Sequence, residues 1–345
     1  MNAGFIRFTR LTFITIGIGL LISFQTAPAA ERGEVVWGKF LQDGDIDRAL
    51  SAFRDSVAAN EDDALAHAGI GMLVPSRGPE ADVCDHLFSA VEIGITQPEA
   101  VLFFYEAMRT LSGREDYENA LRRIGNMLVS NDLPDYLRDT LQFHRAKLLQ
   151  RLGRWEEAGA VFSSLGFLTR FWYCGPFDNA EKGGHKQVFG PEKDLDLKQT
   201  YPGRHRDVGW RVLPLSPVNG YIDLHALVAP SHESSTYLAA AIQSGEDQRC
   251  RITVGHGGAV KVWLNGQLTT DVDRYHQPLP DQVIIDTRLA EGANTLLVKV
   301  SSGEKGKYGT FIRFLPELPD TVTITSPSST DDPPDLSVHT PVPDQ

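Results

Sequence analysis

At 345 residues the chain is long enough for two domains with separate cores, and its 41% apolar and 23% charged content belongs to a globular protein. The formal charge of −12 is unevenly spread: residues 31–167 carry 23 acidic and 14 basic side chains, residues 168–316 carry 16 and 17, and residues 317–345 carry 6 and 0. A surface that acidic repels phosphate backbones and anionic headgroups, which excludes nucleic acid and the membrane surface as partners held by electrostatics.

Residues 1–29 read as a signal peptide. Arg7 and Arg10 give a positive start, Leu11 to Phe24 is an uncharged run of 14 residues, and Ala27-Pro28-Ala29 offers a small-x-small cleavage pattern. Fourteen residues of helix fall short of a hydrocarbon core about 30 Å thick, so no membrane insertion is expected once the segment is removed. The expected localisation is therefore secreted, periplasmic or cell-envelope, an oxidising setting in which cysteines matter. Cys84 falls in a helical pattern. Cys174 and Cys250 both fall in strand patterns, where they either pair as a disulfide or stay as two small core residues.

Residues 33–167 repeat. Gly44, Ala49 and Phe53 have the same spacing as Gly153, Ala158 and Phe162. Ile46-Asp47-Arg48-Ala49, Tyr117-Glu118-Asn119-Ala120 and Trp155-Glu156-Glu157-Ala158 share an apolar-acid-x-Ala string, and Phe53, Ile124 and Phe162 each follow the alanine by four residues. Cys84 and Phe88 hold the same two positions between the first and second strings, giving four units spaced by 35, 36 and 38 residues. This period, with a small residue where two helices touch and a bulky one a turn later, resembles the tetratricopeptide repeat. Leu65, Ala68, Gly69 and Met72 fit that family's first-helix pattern, and Gln142, Arg145, Ala146 and Leu149 fit it more loosely. Short insertions and the missing proline at repeat ends depart from it. The resemblance implies stacked helix pairs with a curved groove that takes a protein partner or an extended peptide; the plainer alternative is a spacer or brace for the β half.

Beyond Gly166 the apolar period changes from 3.6 to 2. Strand patterns cover 171–174, 209–213, 221–228, 235–243, 250–254, 260–264, 267–270, 283–289, 295–300 and 309–314, separated by turn residues; the second half of 235–243, with Leu238-Ala239-Ala240-Ala241, also suits a helix. Asn265-Gly266 between Lys261-Val262-Trp263-Leu264 and Gln267-Leu268 is a strong hairpin signal, because the tight turn needs positive φ at both central residues. Together with Trp172 to Phe177 and the strand entry Gly292-Ala293-Asn294, it resembles the galactose-binding-like β-sandwich found in accessory domains of bacterial glycosidases and in exported bacterial multidomain proteins. The expected fold class is thus multidomain, α plus all-β: a tetratricopeptide-like solenoid over 33–167, an antiparallel sandwich or jelly roll over 168–316, and a Pro/Ser/Thr/Asp-rich disordered tail over 317–345, which holds six prolines.

Function is less legible. In the protective-antigen-type lectins of this fold, paired aspartates before the equivalent hairpin hold calcium; here those positions are Gly257 and Gly258, so no metal is expected there. Trp263 lies on the opposite strand face from Val262 and Leu264, and serves either as core or as a sugar platform. Trp210, Tyr221, Arg274, Tyr275 and His276, at loops and strand ends, are the candidate glycan-binding residues. His256-Gly257-Gly258 lacks a Gly-x-Ser-x-Gly partner, Gly303 to Lys307 is followed by Tyr308 where a phosphate loop needs Ser or Thr, and Asp271-x-Asp273 lacks the rest of a calcium loop. Six of the ten histidines lie in the β half, none at metal-pair spacing. The expectation is a non-enzymatic scaffold or binding protein without a cofactor; the alternative is a carbohydrate-binding protein acting through the β half.

Overall fold

A computed structural model describes residues 31–76, 82–214, 217–303 and 306–325. The expected signal peptide and the stretch 326–345 lie outside the described residues. The chain divides into two compact units, one ending at Val161 and the other beginning at Phe162. Among the described residues no helix is long and apolar enough to cross a membrane.

The first unit is helical: α1 (Glu31–Asp43), α2 (Ile46–Ala59), α3 (Ala64–Leu73), α4 (Val83–Ile93), α5 (Ala100–Thr110), α6 (Arg114–Leu128), α7 (Asp135–Arg151) and α8 (Trp155–Ser164), the last running past the unit boundary. The four small positions picked out by spacing fall one in each of α2, α4, α6 and α8. Ala49, Ala120 and Ala158 are buried and Cys84 is half-buried, while Phe53, Phe88, Ile124 and Phe162 are all buried. A large side chain there would force neighbouring helices apart. Each bulky residue one turn later contributes about 2–3 kcal/mol by leaving water.

Polar ties set the helix order. Asp63 is almost fully buried, caps α3 by accepting from Ala66 N, and also accepts from Gly33 N of α1 and the Ser56 hydroxyl of α2. One carboxylate thus joins three helices and satisfies two amides of helix starts, which have no intrahelical partner. Arg123 of α6 reaches back to Glu92 and Asp85 of α4 at 2.6 and 3.2 Å, with its guanidinium over the Phe88 ring.

His144 of α7 is buried edge-on against Phe104, Tyr105 and Phe143. Burial, and then the charges of Lys147 and Arg151, push its pKa down to about 3. The folded chain keeps His144 neutral where the unfolded chain, titrating near 6.5, binds a proton. Its contribution is therefore complete above about pH 6.5 and falls by up to about 1.4 kcal/mol per unit below that, down to about pH 3. Urea denaturation between pH 7 and 4.5, followed by helical circular dichroism, should show a shallower loss for His144→Phe than for wild type; equal slopes would exclude His144 as the acid-sensitive group.

The second unit is built on antiparallel sheets, with strands β1 (Trp172–Asp178), β2 (Thr200–Pro202), β3 (Asp207–Gly209), β4 (Arg211–Val212), β5 (Tyr221–Asp223), β6 (Ser234–Ser244), β7 (Gln248–His256), β8 (Ala259–Leu264), β9 (Gln267–Val272), β10 (Val283–Leu289), β11 (Gly292–Ser301), β12 (Gly309–Pro316) and β13 (Val322–Ile324). One sheet runs β4-β1-β6-β11-β8-β9, and β13 continues the line of β1 along β6; the second runs β10-β7-β12-β5; β2 and β3 form a separate ribbon. Alternate residues of both larger sheets, including Leu238, Val262 and Val298 from the first and Ile252, Val254 and Ile312 from the second, share one hydrophobic cluster.

The stretch that suited both strand and helix is the central strand β6. Its ladders on both sides supply what a helix would have to supply within itself, so tertiary pairing overrides the local preference for a run of alanines. The pattern 221–228 is strand only to Asp223, whose carboxylate accepts from His225 N and starts a one-turn helix, α10, at Leu224–Leu227, after α9 at Gly190–Lys193. The expected tail begins inside the fold: β13 lies in the sheet, and Gln248 reaches Leu318 N and the Thr321 hydroxyl.

Of the two alternatives for Cys174 and Cys250, the structure has the unpaired one. Cys174 and Cys250 are free thiols in different hydrophobic clusters, since Cys174 points away from the face of β1 that shares the inter-sheet cluster. Burial pushes both thiols up to about 12, which removes the thiolate that oxidation needs.

Candidate functional site

The outer face of the first sheet is covered rather than exposed. Trp172, Cys174, Phe177, Tyr237, Trp263 and Leu297 on the strands pack under Leu195, Leu197, Tyr201 and Val208 from the chain between β1 and β4. Trp263 does point away from Val262 and Leu264, as strand alternation requires, yet it is 9% exposed. The choice between core and sugar platform is resolved by a third layer: the ring is on the outer face and still out of reach.

That layer is pinned by one ammonium. Tyr237, Lys299, Lys261 and Asp271 stand in register on β6, β11, β8 and β9, forming a row across the sheet. Lys299 has no exposed side-chain surface; its Nζ donates to Glu192 Oε1 at 2.8 Å, Gln187 O at 2.7 Å and His185 O at 3.3 Å, and lies over the Phe189 and Tyr237 rings. The Tyr237 hydroxyl donates to the same Glu192 oxygen. Burial lowers the Lys299 pKa, and the hydrogen bond and charge of Glu192 oppose that shift. Three acceptors around one ammonium explain why a lysine is tolerated there.

Next in the row, Asp271 takes Lys261 at 3.4 Å and His185 Nε2 at 2.8 Å. Partial burial would raise the Asp271 pKa, but the His185 hydrogen bond and the Lys261 charge overcome it and leave the carboxyl below its usual range. His185 is lowered by burial, against the pull of Asp271. Its Nδ1 is buried without a partner among the described residues.

Beside this row the turn 179–185 and the segment 273–282 meet. Buried Asn179 donates to Ser302 O, accepts from His185 N and lies 3.5 Å from the Tyr275 hydroxyl. Glu181 and Lys182 both sit at positive φ, and Lys182 Nζ lies 4.4 Å from the centre of the Tyr275 ring. Two adjacent non-glycine residues in that region mark a turn over-determined by its surroundings. The His276 ring lies 4.4 Å from that of buried His256, tilted at 54° to it, and Arg274 is exposed.

The five candidate residues therefore do not form one site. Arg274, Tyr275 and His276 share the surface segment between β9 and β10. Trp210 packs against the covered outer layer, and Tyr221 lies against Phe311 on edge strand β5, its hydroxyl pushed up to about 12 by burial and then by Asp223. Gly257 and Gly258 leave no room for side chains, because a Cβ at either would strike the carbonyl of Lys307 or of Ser301. Asp271 is committed to His185 and Lys261 rather than to a loop beside Asp273. Among the described residues no three His, Cys, Asp or Glu side chains are placed to hold a metal ion.

Sequence reading missed Lys299, Glu192, His185 and His256. Lys299 carries a partial signal, a lone charge in the otherwise apolar run Leu296-Leu297-Val298-Lys299-Val300; Glu192 has none, because its partner is 107 residues away.

No known family profile matches the chain, and no curated protein matches it. Twenty-eight chains of solved structures do. They include β-glucosidase from Kluyveromyces marxianus in complex with glucose, at 13% identity over 42% of this chain and 16% of that one, with a TM-score of 0.29. A selenomethionine-labelled form of the same β-glucosidase matches at 10% identity, with the same coverage and a TM-score of 0.27. A family 35 carbohydrate binding module from an environmental isolate matches at 15% identity over 47% of this chain and all of its own, with a TM-score of 0.23. The aligned part is about a sixth of the β-glucosidase. Likenesses of that size decide nothing about a ligand here.

The buried pair yields a test. Removing one partner of a buried ion pair costs about 3–5 kcal/mol, because the other charge is left unpaired. Lys299→Met and Glu192→Gln should each lower the unfolding free energy of the β unit by that order, and the double variant Lys299→Met with Glu192→Gln should lose less than the sum. Additive losses would show that the two side chains act independently.

Proposed function

We propose that the chain is an exported, non-enzymatic binding protein, made of a tetratricopeptide-like helical array and a galactose-binding-like β-sandwich, whose array takes a protein or extended peptide. The observation that supports this reading is the recurrence of a small position followed by a buried bulky one in α2, α4, α6 and α8 at near-constant spacing. Helix pairs of that kind bury their apolar faces only against neighbouring pairs, and stacking them leaves a continuous surface along the array. Such a surface suits an extended partner better than a small molecule.

The full chain, immobilised and exposed to the exported protein fraction of its source, should retain a defined partner. Charge reversal at Arg109 and Lys147, exposed on α5 and α7, should weaken that retention at least ten-fold. Failure to retain any partner above bare resin would remove this reading.

A second reading, glycan binding by the β unit, has its own support. Tyr275 is half-buried, its ring is fixed beside Lys182 and Asn179, and exposed Arg274 and His276 flank it. A fixed aromatic face between hydrogen-bonding side chains matches the requirements of a saccharide. On an array of diverse glycans the full chain should show binding that Tyr275→Ala abolishes; a blank array for wild type would eliminate this role.

A further inference from the structure

Two histidines from different helices meet in the first unit. His67 stands on α3 and His86 on α4, both half-buried, with their Nδ1 atoms 2.8 Å apart and their ring centres 5.0 Å apart. The tautomer of His67 is set by its other nitrogen. Nε2 lies 3.1 Å from Glu61 O, and since a carbonyl only accepts, Nε2 carries the proton. The neutral ring therefore turns a bare Nδ1 lone pair towards His86. A ring whose one nitrogen donates to a backbone carbonyl, while the lone pair of the other faces a second imidazole, has the orientation that outer partners impose on metal-ligating histidines.

We propose that His67 and His86 form a two-histidine site for a divalent transition-metal ion of the zinc, nickel and copper class, which clips α3 to α4 through both Nδ1 atoms. Imidazole nitrogen suits these ions, whereas calcium and magnesium take oxygen. Two nitrogens bound at about 2.0–2.1 Å lie about 2.9 Å apart at a right angle and about 3.3 Å apart at the tetrahedral angle. The pair thus opens by a few tenths of an ångström from its present 2.8 Å, which two half-buried rings accommodate by turning about their side-chain bonds.

Charge favours a cation here. From Asp55 to Gly94 the sequence has eight acidic residues and one basic residue, and Glu61, Asp62 and Asp82 are exposed at the starts of the two helices. Arg123, which reaches α4 from α6, is committed to Glu92 and Asp85. Binding exchanges two of the ion's waters for two nitrogen lone pairs. The proton that His86 Nδ1 gives to His67 Nδ1 in the metal-free pair passes through solvent to His86 Nε2, so both rings stay neutral. Among the described residues no third His, Cys, Asp or Glu side chain is placed to join them. Water completes the coordination, which makes the site an exchangeable clip rather than a closed structural centre.

The site is independent of either binding role. Zinc titration of the full chain, first stripped with a chelator and followed by calorimetry at pH 7.5 in a non-coordinating buffer, tests it. Zinc should bind, and His67→Gln and His86→Gln should each weaken that binding at least ten-fold. The double variant should bind no more weakly than either single one, because each already removes the chelate; His225→Gln, in the β unit, should bind as wild type does. Saturating zinc should also raise the helical unfolding midpoint of wild type and leave those of the two single variants unmoved, a readout that a merely structural contact between the rings would not give. A wild-type chain that takes up no zinc, a His67→Gln or His86→Gln chain that binds it undiminished, an equal loss in His225→Gln, or a midpoint raised as much in the variants would each overturn the proposal and leave the pair as a shared-proton contact.

Discussion

A single buried ammonium organises the β unit. Lys299 sits on a central strand, on the face turned away from the inter-sheet cluster, where a lysine would ordinarily reach into water. Here it reaches into a layer of irregular chain, and the carbonyls of His185 and Gln187 together with the Glu192 carboxylate replace its hydration shell. The covering layer is thereby tied to one row of the sheet. Because the ammonium is costly to bury and costly to leave unpaired, the arrangement has little tolerance for sliding. That constraint removes Trp263 and much of Trp210 from the accessible surface, while Arg274, Tyr275 and His276 between β9 and β10 meet solvent.

A second constraint links two features that the sequence shows separately. Asn265 of the hairpin sits at positive φ, with Gly266 beyond it, and its amide nitrogen donates to Asn294 Oδ1 at 2.8 Å; Thr295 N donates to Asn265 Oδ1 at the same distance. Asn294 also accepts from Ala290 N and donates to Ala290 O. The Asn-Gly turn and the Gly-x-Asn strand entry are therefore two halves of one buried polar knot that sets the register of β8 against β11. Asn294 uses both its amide hydrogens and both its oxygen lone pairs within this knot, which explains how such a prominent motif can identify a fold while remaining silent on function.

Legibility followed the range of the interactions. Period-2 alternation placed the longer strands of the β unit, because each residue's face is decided by its immediate neighbours, and missed the three-residue strands β2, β3 and β13. It failed where a local polar bond competed, as at Asp223, and it could not tell a central alanine-rich strand from a helix, because that choice depends on ladders to β1 and β11. The helical marks were legible for the same reason: a small residue is required wherever two helices touch. The site was largely illegible. Tyr275 and His276 stood out as aromatic loop residues, but their partners Lys182, Asn179 and His256 come from distant turns, and whether Cys174 and Cys250 pair stayed open because the clusters they point into depend on how the sheets and the covering layer pack.

The histidines show what this difference means for function. As a composition, six of ten in one half suggests a metal, and spacing argues against one. In the fold, His185, His256 and His276 gather where the turn 179–185, the end of β7 and the segment 273–282 converge, and each is handled differently: His185 is paired to a carboxylate, His256 is sealed against a backbone carbonyl, and His276 is left at the surface. A structural role needs only buried, satisfied rings. Here two buried ring nitrogens, His185 Nδ1 and His256 Nε2, have no partner among the described residues. The segment over them is held along its length, Tyr275 by Asn179 and Lys182, Gln282 by His256 N, and Asp281 by Arg313 and Thr253, so the rings are enclosed by an element fixed from three directions.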